Sequence, residues 1–325
     1  MHPAFSVIFL TTLIGVGQGL FLALFTGHLY SVIKVVPMQA DPQTFYGLGS
    51  LIALVFLGVG LFASFFHLGH PERAWRSIAR WRTSWLSREV IALPAFMGAL
   101  ALYGLLRYAG WEPILFNLGP ILVDPSLIVG TAATLLAFIL FICTGMIYAC
   151  IKFLQEWATP LTVVNFTLLG SASGFTLATA FAAVYAPELV RFFGVWSIII
   201  TVFALITRAA SLIRNSRIKY KSTMQSAIGV RHTQVVQKAQ GFMGGSFNTR
   251  EFFHGKSLSF MKSIKWIFLV LVFPVPILLL LQGLSSAAVA ILGLAFVVQY
   301  IGLLAERWFF FAQANHPQNL YYQTI

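Results

Sequence analysis

AFSVIFLTTLIGVGQGLFLALFTGHLY, residues Ala4–Tyr30, runs its whole length without a Lys, Arg, Asp or Glu. About 20 such residues in a helix cross the hydrocarbon core of a bilayer. Seven further stretches are predominantly apolar over a similar length: Thr44–Leu68, Val90–Tyr108, Ser126–Ile151, Leu161–Tyr185, Phe192–Ile213, Ile264–Gly283 and Ser286–Phe310. Only 9% of the 325 residues are charged and 58% are hydrophobic, whereas a soluble domain carries about 25% charge. Each stretch must satisfy its own backbone in lipid, and a helix does so. A β-barrel would show short alternating segments instead. The sequence therefore predicts an all-α integral membrane protein, a bundle of eight transmembrane helices, as a single membrane domain over residues 1–325. The first stretch has no positive region before it and is too long for a signal peptide, so it is expected to remain as a span.

Eight spans put both termini on one side, here side A. Of the 21 Lys and Arg residues, eighteen fall on side A and three, Lys34, Arg107 and Arg191, on side B. The positive-inside rule makes side A cytoplasmic. Eleven of the eighteen lie between Arg208 and Lys265, around a basic loop at about 214–262 whose one acid is Glu251. This loop suits anionic lipid head groups or a cytoplasmic partner. No fold that binds nucleic acid surrounds it.

Cys143 and Cys150 share one apolar segment, and two such residues define neither a disulfide nor an iron–sulfur cluster; both read as packing residues. Haem would need two ligands at one depth, but His28 ends the first segment at side B and His67 ends the second at side A. His2, His70, His232, His254 and His316 fall in side A loops and tails, so no haem is expected. Gly15, Gly17 and Gly19 lie within an apolar helix with no strand before them, so they are no dinucleotide motif. With Gly58 and Gly60 they read as close helix approach.

The segment richest in reactive groups is HLGHPERAWRSIARWRTSWLSREV, His67–Val90, with five arginines and Trp75, Trp81 and Trp85. The tryptophans suit an interfacial belt. Glu89 suits an acid in the first turn of a helix or a partner of Arg88, and His67 a helix-end residue. Together, His67 and Glu89 also meet the needs of a quinone head group. A histidine donates to a carbonyl and titrates near neutrality; a partly desolvated carboxylate exchanges protons. Both readings stand on composition.

These residues also carry a resemblance. ASFFHLGHPERAW followed by SWLSREV resembles the membrane anchor subunit of dimethyl sulfoxide reductase-type molybdenum enzymes, and the eight-helix plan extends the likeness over most of the chain. The RWRTSWLSREV form is most similar to the branch that anchors a cytoplasmic-facing, quinone-linked sulfite dehydrogenase. The resemblance implies a three-subunit complex in the bacterial cytoplasmic (inner) membrane. In it a molybdopterin catalytic subunit and a four-cluster iron–sulfur subunit on the cytoplasmic side exchange electrons with a quinone, ubiquinone or menaquinone, held by this chain. His67 and Glu89 take the family's quinone-site positions; Tyr148 and Arg307, with Glu306, match further polar positions. The motif's place on side A favours sulfite oxidation over the alternative, an anchor that oxidises quinol for a sulfoxide reductase. A transporter is the alternative of another class. Pro274 and Pro276 would break the seventh segment, but the first half shows no matching break and no charged group is read at mid-bilayer, where transport sites are expected.

Overall fold

The computed structural model describes residues 1–37, 39–119, 121–220, 223–232, 234–235, 252–317 and 319. The chain forms α1 (Phe5–Val32), α2 (Pro42–Ser64), α3 (Trp85–Tyr108), α4 (Pro125–Ala149), α5 (Pro160–Tyr185), α6 (Val190–Ser216), the short α7 (Met224–Ile228), α8 (Leu258–Val272), α9 (Pro274–Ser286) and α10 (Val289–Ala312). Eight spans result, α8 and α9 together making the seventh. A two-stranded hairpin, β1 (Phe116–Leu118) and β2 (Ile121–Val123), lies between α3 and α4, with Phe116 opposite Val123. The all-α, eight-span expectation holds.

Local sequence sets the helix starts. Asp41–Pro42, Asp124–Pro125 and Thr159–Pro160 place a capping oxygen before a proline that has no N–H to lose. Asp41 accepts from the Thr44 N–H at 3.0 Å, and bonding to Thr44, side chain and backbone, holds its exposed carboxyl below the usual range. Ser84 caps α3 through the Ser87 N–H, so the helix begins at Trp85 rather than Val90. Glu89 is therefore the fifth helical residue, beyond the first turn, and the helix-start reading of this acid does not apply. Pro274 divides the seventh span at Phe273, because proline cannot continue the preceding ladder.

The core is organised around α1, whose residues Gly15–Phe25 are all buried. Its glycines form two seams. Gly15 and Gly19 meet Gly170 and Ser171 of α5, while Gly17 meets Ala53 and Leu57 of α2. A Cβ on Gly174 would lie 2.0 Å from the Gly19 carbonyl carbon. Gly60 packs on Ile14 as the sequence suggests, but a side chain at Gly58 would point into open space, so that position needs no glycine for close approach. In lipid, such close approach supplies dispersion that the hydrophobic effect between helices does not. Buried hydrogen bonds add to it: Thr176 of α5 donates to Gln299 of α10 at 2.7 Å and pairs with Ser197 of α6 at 2.7 Å, and Gln18 donates to the Ala137 carbonyl at 2.9 Å.

Both described ends of the chain meet at one end of the bundle, where the Met1 amino group donates to the Ala314 carbonyl at 2.8 Å. Burial lowers that amino group to about pKa 6. On the same side Tyr220, beyond α6, donates to buried Glu156, and burial beside that carboxylate pushes the phenol well above its usual range. Part of the basic loop, residues 221–222, 233 and 236–251, including Lys221, Lys238, Arg250 and Glu251, lies outside the described residues. Cys143 is buried, as packing requires, whereas Cys150 caps the end of α4 and is exposed.

Candidate functional site

α2 ends in a 3₁₀ turn, Phe65–His67, and the chain then forms a 3₁₀ helix, Pro71–Arg80, before α3. These elements enclose an apolar cleft of about 250 Å³. Leu10 and Ile14 of α1, Leu61 of α2, and Leu86, Val90, Leu93 and Pro94 of α3 line it. His67 and Glu89 also line it, and they are its titratable side chains among the described residues. The structure thus brings this pair to one cavity. The tryptophan at the cleft is Trp75, from the 3₁₀ helix, while Trp85 lies beneath the Arg88 guanidinium, 4.2 Å away. Exposed Phe62, Phe65, Phe66 and Leu86 lie close by on α2, the 3₁₀ turn and α3, an apolar surface suited to a hydrocarbon tail.

Arg88 does not pair with Glu89. Its guanidinium donates to the Trp81 and Arg82 carbonyls at 2.9 and 2.8 Å. Glu89 Oε1 instead accepts from the Thr144 hydroxyl of α4 at 2.5 Å. Thr144 is a residue that sequence reasoning missed. The one signal for it was its position one turn before Tyr148 on the same helical face.

Tyr148 and Arg307 do not line the cleft. Tyr148 stacks on Phe166, with centroids 5.5 Å apart, and packs against Trp157, Phe310 and Phe311. Arg307 covers the same Phe166 ring at 3.8 Å. Its Nε lies 2.9 Å from Glu306 Oε2, and Arg208 Nε of α6 lies 2.8 Å from Glu306 Oε1. All three charges are almost fully buried. Glu306 sits six residues before the end of α10, about 9 Å inside at the helical rise. Arg208 and Arg307, counted with the side A loops from sequence, are instead buried within α6 and α10 and form an ion chain with Glu306. Sequence offered a signal, an acid and two bases inside apolar runs.

A small chamber of about 20 Å³ joins these parts. Thr144 and Arg307 line it together with Thr11, Thr12, Gln18 and Ser173. Arg307 Nη1 is buried without a hydrogen-bond partner.

His28 lies at the opposite end of the bundle from His67. The contacts Gly60–Ile14 and Gly49–Leu24 run α1 and α2 antiparallel, so His28 neighbours Tyr46. The Tyr103 hydroxyl lies 3.2 Å from His28 Nδ1, and buried Arg107 pairs with Glu112 nearby. Among the described residues no three His, Cys, Asp or Glu side chains come together as metal ligands.

An eight-span bundle with an apolar cleft at one end, lined by His67 and Glu89, defines a multi-pass membrane protein. The family profile described as DMSO reductase anchor subunit (DmsC) matches residues 1–322, and this chain belongs to that family. It is 57% identical, over the full length of both proteins, to the C subunit of sulfite dehydrogenase from Allochromatium vinosum. It is 26% identical over 152 residues, 47% of this chain and 51% of the relative, to the C chain of anaerobic dimethyl sulfoxide reductase from Haemophilus influenzae.

Proposed function

We propose that this chain is the quinone-reactive anchor of a three-subunit molybdoenzyme in a bacterial inner membrane, passing electrons between a partner iron–sulfur subunit and the quinone pool, with sulfite as the substrate oxidised. The observation that carries the reading is the convergence of His67 and Glu89 on one apolar cleft at the bundle end. The donor set fits a quinone head: an imidazole to bond one carbonyl, a carboxyl to exchange protons, and apolar walls for the tail. His67 orients the head; Glu89, anchored by Thr144, holds or releases the proton at the second oxygen. The full-length likeness to a sulfite dehydrogenase subunit favours sulfite over a sulfoxide. In that direction oxidation of sulfite with one water to sulfate in the catalytic subunit would release two electrons and two protons, the iron–sulfur subunit would carry the electrons, and quinone reduction at this chain would take up two electrons and two protons. The charge asymmetry supports both termini, and the cleft, on the cytoplasmic side, where the four-cluster subunit and the molybdopterin subunit would dock.

Glu89→Gln keeps the shape of the side chain and removes its proton exchange. In membranes that carry the assembled complex, sulfite-driven reduction of a short-chain quinone is expected to fall at least about tenfold, the lower range for general acid–base catalysis. Reduction of an artificial acceptor by the catalytic subunit should persist. Unchanged quinone turnover and affinity would remove Glu89 from the site. Activity with a sulfoxide and a quinol, but not with sulfite, would move the chain to the reductase branch.

A further inference from the structure

The cleft has a back wall, and a surplus positive charge lies behind it. Arg208, Glu306 and Arg307 together carry one positive charge more than they cancel, in a part of the bundle shielded from water. A buried charge of this kind needs a counter-charge or a dipole. The Thr144 hydroxyl donates to Glu89 on one side, and Thr144 borders the chamber that Arg307 also lines on the other. The chamber holds about 20 Å³, enough for one water. The unpartnered Nη1 of Arg307 supplies a donor to such a water, and the Thr144 oxygen an acceptor.

We propose that Arg307 is a positioning residue for the quinone cleft: acting through a water in this chamber and through Thr144, its charge stabilises the ionised form of Glu89. The inference rests on the reading of Glu89 as the proton-exchanging group. Among the described residues no other group facing Glu89 donates a hydrogen bond to it. Arg88, on the same helix, is turned to backbone carbonyls. His67 lines the cleft from the end of α2, and Cys143 and Tyr148 of α4 carry no positive charge. Glu306 fixes the Arg307 head group and Arg208 neutralises Glu306, so that the net field on the chamber is that of Arg307.

The test is the pH profile of quinone reduction in membranes carrying the intact complex, driven by sulfite, with a short-chain ubiquinone or menaquinone analogue as acceptor. Thr144→Val removes the donor at constant shape, and Arg307→Gln leaves a neutral Arg208–Glu306 pair. Each should displace the Glu89-dependent limb to higher pH by about 1 unit, the low end for loss of a nearby opposite charge. The Michaelis constant for the quinone should stay unchanged. Thr144→Ser and Arg307→Lys should keep the limb near its original position, which a purely structural role would not require. A limb that stays put in Thr144→Val overturns the relay, even if Arg307→Gln fails to assemble. A limb that moves in Thr144→Val but not in an assembled Arg307→Gln overturns the role of Arg307. Glu89→Gln run alongside separates the two levels: lost turnover with unmoved limbs defeats the relay alone, whereas retained turnover defeats the quinone-site reading with it.

Discussion

Glu306 is bracketed by two arginines inside the bundle, and the arrangement makes a sharp demand on stability. Removing one member of a buried ion group leaves the others uncompensated, at about 3–5 kcal/mol. Glu306→Gln should therefore weaken the fold far more than Glu89→Gln, seen as loss of detergent-resistant complex and a lower unfolding temperature. Equal stability of the two variants would show that water reaches the ion chain. At this scale residue type and spacing single out His67 and Glu89 in the sequence, and the structure places both on one cleft. The sequence did not disclose Thr144. Threonines are common in these spans and mostly bond their own helix, as Thr131 and Thr134 do with Leu127 and Gly130. Only the packing of α3 against α4 sets Thr144 apart.

The glycines of α1 and α5 fix how closely these two elements pack. With Gly19 against Gly170, Ser171 and Gly174, the backbones approach until no side chain fits between them. Gly174→Leu should prevent assembly of the bundle, measured as loss of the chain from detergent extracts. Gly58→Leu places the same side chain in open space and should change stability by no more than about 0.5 kcal/mol. Span existence was legible from hydropathy, and helix starts were partly so. The early start of α3 at Trp85 was not, since Arg88 and Glu89 interrupt the apolar run that marks a span, while the Ser84 cap and the packed wall against the 3₁₀ helix extend it. The 3₁₀ helix itself, Pro71–Arg80, reads as a charged loop because its arginines face outward and its apolar contribution is a few side chains, Trp75 among them.

For the molecule as a whole, orientation is a matter of charge, and the removal of Arg208 and Arg307 from the loops leaves the asymmetry intact. In intact cells of a Cys150→Ser background, Ala79→Cys in the 3₁₀ helix should resist a membrane-impermeant maleimide, whereas Asn117→Cys in the β1–β2 hairpin should label rapidly. The opposite pattern would place the cleft on the outer face and exclude a cytoplasmic electron partner.

The class of protein, the eight spans, the charge asymmetry and the polar pair His67 and Glu89 were legible in the chain alone. Those properties follow from local composition, which the bilayer reads one segment at a time. Tertiary structure alone decided that His67 and Glu89 share a cavity, that Tyr148 and Arg307 stand behind it, and that Arg208, Glu306 and Arg307 form one ion chain. These depend on which helix faces meet, and hydropathy along a single span carries no record of its neighbours.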